Sequence, residues 1–250
     1  MTSSTDTPNQ TTPLDQFPAE VEMSFFDHLE ELRIRIFYGL VAVVAGAAGS
    51  FAFVKPIVAF LEVPAEGISF QQLNVGEFFF VSLKVAGYCG VLIAMPVVIY
   101  QVVAFILPGL TKGERRLVTP VILGSGIFFF AGLAFCYVAL LPAALKFFLN
   151  YGADVVELRL SIASYFEFLF GLMLCTGLAF QVPIVQLILG FFRLVNSRQM
   201  VKAWRPVMLT AFILGAVLTP STDPVTQSLL SGAVLSLYFL GIGFTKFIGR

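Results

Sequence analysis

The sequence predicts an all-α, polytopic membrane protein with six transmembrane helices, and three observations predict it. Apolar residues make up 58% of the 250 and charged residues only 12%, against about a quarter charged in soluble domains. Six apolar stretches follow one another along the chain, and lysine and arginine gather in alternate connections between them. That asymmetry is the expected signature of membrane topology. The formal net charge is zero and no basic block occurs, which excludes a nucleic-acid partner.

Residues 1–23 are rich in Ser, Thr, Pro, Gln and Asp and have neither a basic n-region nor an apolar h-region. They read as a disordered tail, not a cleavable signal, and leave one membrane domain over 24–250. At its start Ser24 and Asp27 have capping-box spacing, while Phe25, Leu29, Leu32 and Ile36 recur at helical intervals. An amphipathic helix is therefore expected at the membrane interface. Asp27, Glu31 and Arg35 share its polar face at i, i+4 and i+8. A Glu31–Arg35 pair within that helix would contribute about 0.2–0.5 kcal/mol.

The spans are expected at 36–54, 77–107, 117–149, 165–191, 207–219 and 225–244, measured against the roughly 20 residues that cross about 30 Å of hydrocarbon. The second and third are longer than this and contain Pro96 and Pro142, so tilt, a kink or an overhang is expected. The fifth covers only about 20 Å at 1.5 Å per residue. This implies local thinning of the bilayer or a shallow hairpin made with the sixth; the fifth and sixth are expected to be short, and the longer second to fourth beside them leave a concave, membrane-facing groove. With the N-terminus on the cytoplasmic side, eleven lysines and arginines fall on that side and four on the other, which predicts both termini inside. The first outer connection, with Pro56, Pro64 and Gly67, reads as a structured cap.

Little in the spans suggests chemistry. Cys89, Cys136 and Cys175 lie in apolar segments without metal-ligand spacing and read as small hydrophobes. No serine has a base beside it, because the one histidine, His28, lies outside the spans; neither an enzyme nor a cofactor or metal site is expected. Gly124-Ser125-Gly126 reads as a close helix contact. Mid-span charges and matching halves, expected of a solute transporter, are not evident. Lys84 and Glu167 are placed to pair near helix ends, Asp223 to cap the last helix, and Tyr100, Gln101, Trp204 and Arg205 to anchor at the interface.

The connection Pro108-Gly-Leu-Thr-Lys-Gly-Glu-Arg-Arg116 again offers capping-box spacing, from Thr111 to Glu114. Taken with His28-Leu-Glu-Glu-Leu-Arg33, Tyr100-Gln101, Ala104-Phe105, Ile162-Ala-Ser-Tyr165, Phe180-Gln-Val-Pro183, Arg205-Pro206 and Leu218-Thr-Pro220, it makes a series that resembles the TatC family. These are the multispanning subunits of the twin-arginine protein translocase, and the likeness runs from Ser24 to Arg250. The resemblance implies a receptor for twin-arginine signal peptides that helps export folded proteins using the protonmotive force. It implies a hetero-oligomer with TatA- and TatB-like single-span proteins, in a bacterial plasma membrane or a thylakoid membrane.

By the same resemblance Glu31 and Glu114 hold the arginine pair of the precursor, with Glu30 and Arg33 beside the first and Arg115 and Arg116 beside the second. The chemistry agrees, since a guanidinium fork matches a carboxylate bidentately and an ammonium does not. Exposed ion pairs are worth about 0–1 kcal/mol, so affinity must also come from burying the signal's apolar stretch. Gln181 stands where many family members have glutamate and where plastid and cyanobacterial members have glutamine. The resemblance implies that Gln181 and Pro183 contact a partner helix; the other reading is repair of carbonyls freed by Pro183. A buried amide bonding across helices contributes about 0.6–2 kcal/mol.

Overall fold

The computed structural model describes residues 25–65, 68, 70–72, 74–106, 118–151, 160–192, 194–218 and 223–247. Helix α1, Phe25–Ala52, joins the amphipathic segment and the first span into one rod of 28 residues. No proline interrupts that stretch, and the amphipathic helix expected before the first span forms the first turns of a helix about 42 Å long. Helix α2, Val54–Glu62, follows a turn at Phe53, then a 3-10 turn at Val63–Ala65 and strand β1 at Phe70–Gln71. Gly76, at φ +78°, supplies the left-handed turn that starts α3, Glu77–Ile106. The latter runs unbroken through Pro96.

Pro142 behaves differently. Helix α4, Val118–Phe135, passes into a π turn at Cys136–Leu140 before α5, Leu141–Asn150. A proline cannot donate to the carbonyl four residues back, and the turn before it widens. Strand β2, Leu160–Ser161, pairs parallel to β1, with Phe70 opposite Leu160. The Ser161 hydroxyl then accepts from Ala163 N at 3.2 Å and caps α6, Ile162–Ala179. The chain breaks at Phe180–Gln181 and resumes as α7, Val182–Phe191, whose second residue is Pro183. Asn196 and Gln199 form a capping box on α8, Ser197–Lys202. Helices α9, Trp204–Leu218, and α10, Pro224–Phe247, complete the bundle.

Among the described residues five helical segments are long and apolar enough to cross a membrane: Phe26–Ala52, Glu77–Phe105, Pro120–Asn150, Ile162–Gly190 and Pro224–Lys246. This is an all-helical polytopic membrane protein, its one sheet among the described residues a pair of two-residue strands. The fifth expected span, α9, has 15 residues and is short as expected, about 22 Å. The sixth is not short. Helix α10 has 24 residues, and within it Ser236 and Thr245 donate back to the Gly232 and Gly241 carbonyls at 2.8 and 2.9 Å. Hydroxyls satisfied inside their own helix do not end a span.

Close backbone approach holds the helices together, as expected where lipid removes the hydrophobic drive between them. A Cβ on Gly90 of α3 would lie 2.5 Å from Ala47 N of α1. The main core gathers Val81 and Val85 of α3, Phe129 of α4, Leu140 and Leu141 at the π turn, and Tyr165, Phe166, Leu169, Phe170 and Leu172 of α6. At the α2 end two tyrosines staple that helix down: Tyr165 Oη donates to Leu61 O at 2.6 Å and Tyr137 Oη to Phe60 O at 2.7 Å. Glu77 links the neighbouring turns, accepting from Asn74 N at 3.0 Å and from the Ser161 hydroxyl at 2.5 Å. The described residues of the first connection, expected to form a structured cap, are thus held by hydrogen bonds to α3, α6 and the π turn. A second, smaller cluster of Met200, Tyr238 and Ile242 sits at the opposite end.

Candidate functional site

The polar face of α1 and the end of α3 enclose an open cavity of about 500 Å³, lined by Asp27, Glu30, Glu31, Ile34, Arg35, Tyr38, Tyr100 and Gln101. Helical spacing explains the α1 contribution, because Asp27, Glu31, Ile34, Arg35 and Tyr38 recur at i+3 and i+4. The two helices are held in register by the His28 ring, which stacks on Phe105 with centroids 4.2 Å apart and planes 16° apart. Asp27, Glu30 and Glu31 line this cavity with the Arg35 guanidinium, and Arg33 bonds to Glu30 at its rim; carboxylates outnumber guanidiniums three to two, so the local field favours a further cation.

The expected pair within α1 is present. Arg35 Nε donates to Glu31 Oε1 at 3.0 Å, and Nη2 donates to the same oxygen. Glu31 and Arg35 side chains are only 19% and 23% exposed, so this pair is more than a solvated surface contact. Arg35 Nη1 also reaches Gln101 Oε1 at 3.4 Å. Glu30 pairs with Arg33, and both side chains are exposed, at 52% and 76%. Glu30 thus stands at the rim and Glu31 in the wall.

Of the residues expected to bind the arginine pair, Glu30 and Glu31 line the cavity, while Arg33 bonds to Glu30. Glu114, Arg115 and Arg116 lie outside the described residues. Sequence reading missed the cavity-lining role of Asp27, Tyr38, Tyr100 and Gln101. The first two share the Glu31 stripe and were within reach of a periodicity argument. Tyr100 and Gln101 come from a helix some 65 residues away, and nothing local announces that juxtaposition.

Gln181 occupies the break between α6 and α7 and donates through Nε2 to Ser125 O of α4 at 3.1 Å. Its amide therefore bonds across helices and does not repair a carbonyl freed by Pro183. Ser125 is fully buried and a Cβ on Gly124 would lie 3.2 Å from Ile184 Cδ1, whereas one on Gly126 would meet nothing within 4 Å, so the close contact expected at Gly124-Ser125-Gly126 involves the first two residues and not the third. Pro183 is also buried, packed so near α10 that a Cβ on Gly241 would lie 2.9 Å from its Cα. This makes Pro183 an internal contact of the chain. Elsewhere Lys84 pairs with Glu167, and Asp223 Oδ2 accepts from Thr226 N at 2.8 Å, capping α10 as expected.

A family model described as Sec-independent protein translocase protein (TatC) matches residues 27–232. Over 237 residues the chain is 61% identical to the Sec-independent protein translocase protein TatC of Synechocystis sp., covering 95% of this chain and 93% of that protein. It is 52% identical over 238 residues to the chloroplastic TATC protein of Arabidopsis thaliana, covering 94% and 70%. Among solved structures it is similar to the crystal structure of a twin arginine translocase receptor, TatC, with a TM-score of 0.77 and 32% identity over 89% of this chain and 100% of that one. A multi-pass membrane protein with no enzymatic role, the chain belongs to the TatC family of Sec-independent protein translocase proteins.

Proposed function

We propose that this protein is the signal-peptide receptor subunit of a twin-arginine translocase, and that it reads the arginine pair at the cavity between α1 and α3. The observation that carries the reading is the cavity itself: Asp27, Glu30 and Glu31 converge there, outnumbering the guanidiniums of Arg35 and Arg33 that pair with them. Glu114 supplies the second carboxylate in this account, with Arg115 and Arg116 beside it. Arg33 tunes Glu30 from the rim.

In the same account all six helical passes cross the bilayer, with α9 accommodated by local thinning. Both termini face the cytoplasm, as does the cavity, and α2 caps the opposite side. The signal's apolar stretch lies in a membrane-facing groove, and TatA- and TatB-like single-span proteins join the complex near Gln181. Transport of folded precursors draws on the protonmotive force. Photocrosslinkers at positions 34 and 113 test the receptor reading. Both should capture a twin-arginine precursor in membranes and lose it when the arginine pair becomes a lysine pair; capture indifferent to that change contradicts it.

A further inference from the structure

The cavity already contains a guanidinium, and its bonding is incomplete in a specific way. A guanidinium and a carboxylate ordinarily match two N–H arms to two oxygens. Here both Arg35 arms converge on Oε1 of Glu31, while Oε2 is buried without a hydrogen-bond partner among the described residues. His28 Nδ1 lies 3.8 Å from Oε2, beyond hydrogen-bond reach. The third arm of Arg35 meets Gln101 Oε1 at 3.4 Å, longer than the usual 2.7–3.2 Å. That contact has room to tighten.

We propose that Arg35 is a resident competitor for Glu31 and that Gln101 is the station to which it moves when a signal arginine arrives. The incoming guanidinium takes both oxygens of Glu31, satisfying Oε2, and Arg35 swings onto the Gln101 amide oxygen across an open cavity. A lysine ammonium is a point charge and cannot match both oxygens, so it does not dislodge Arg35. The exchange makes Arg35 and Gln101 positioning residues that set specificity for arginine over lysine. A neutral acceptor at 101 suits this role, because a carboxylate there would hold Arg35 permanently. The proposal rests on the receptor reading above.

The test uses the full chain in lipid nanodiscs and fluorescent signal peptides carrying either an arginine or a lysine pair. Arg35→Gln should bind the arginine peptide at least as well as the parent and gain roughly tenfold for the lysine peptide, the worth of one charge-assisted hydrogen bond. Gln101→Leu should weaken the arginine peptide severalfold in the parent and have no effect in an Arg35→Gln background. Gln101→Glu, an isosteric change that draws Arg35 away, should bind both peptides well and serves if the leucine variant fails to fold. The proposal is overturned if Arg35→Gln loses arginine-peptide binding with its preference intact, or if Gln101→Leu acts equally in both backgrounds. Glu31→Gln separates the two levels: if it leaves binding unchanged, the receptor reading itself fails.

Discussion

The side-chain amide of Gln181 donates to the backbone carbonyl of Ser125 at 3.1 Å, tying the break between α6 and α7 to the middle of α4. Gln181→Leu removes that bond and should destabilise the protein by about 0.6–2 kcal/mol, read as a lower thermal midpoint in detergent. Gln181→Glu can donate only when protonated, so its stability should recover as pH falls. If TatA- or TatB-like helices use this region, the leucine variant should also recover less of them at matched abundance. Unchanged stability in both variants would leave the amide without a structural role.

Gly90 offers a sharper test of packing. A Cβ there would lie 2.5 Å from Ala47 N and 2.7 Å from Ala47 Cβ, and backbone cannot yield as a flexible side chain does. Gly90→Ala should therefore cost about 1–3 kcal/mol, the range for overpacking. It should also weaken signal-peptide binding, because the cavity is built across the same α1–α3 seam. Gly87→Ala, whose added methyl would meet nothing within 4 Å, is the control and should behave as the parent.

These contacts show where sequence reading stops. Apolar length and the lysine and arginine pattern reveal the passes because membrane thickness imposes them. The acidic face of α1 was legible because i, i+4 spacing is local. Pro142 signalled a discontinuity that appears as a π turn, yet Pro96 passes through α3 unbroken, and the break at Phe180–Gln181 falls inside a span expected to run continuously over 165–191. The expected shortness of α10 was a misjudgement, since its expected bounds, 225–244, already held about the 20 residues of a full crossing and the helix runs Pro224–Phe247. The Arg35–Gln101 contact spans 66 positions, and only the packing of α1 on α3 creates it.

Glu62, at the end of α2, is pushed above the ordinary glutamate value of 4.5 by burial. A carboxyl with a raised folded-state value contributes most when protonated, and that contribution is lost as pH rises through the folded value. Glu62→Gln should consequently raise the thermal midpoint at pH 7 and leave it near that of the parent at pH 4. A lower midpoint at pH 7 would show that the charge is stabilised by its surroundings.

Topology is tested by single cysteines in a background lacking Cys89, Cys136 and Cys175. Cysteines at positions 2, 113 and 198 should react with an impermeant reagent only from the cytoplasmic side, and those at 67 and 155 only from the other. Labelling of position 113 from the outer side would reverse the orientation and remove the carboxylates from the side where precursors arrive.

Reading of the arginine pair by two glutamates is probed most directly by precursor crosslinking to the Glu31→Gln/Glu114→Gln double variant at matched membrane abundance, with arginine-pair and lysine-pair signals compared. Glutamine keeps much of the capping geometry at Glu114 but removes the charge that a guanidinium seeks at both positions. Each single change should weaken capture of the arginine-pair precursor, and the double change should nearly abolish its preference over the lysine pair. Parental capture with the parental preference would contradict the assignment of both glutamates.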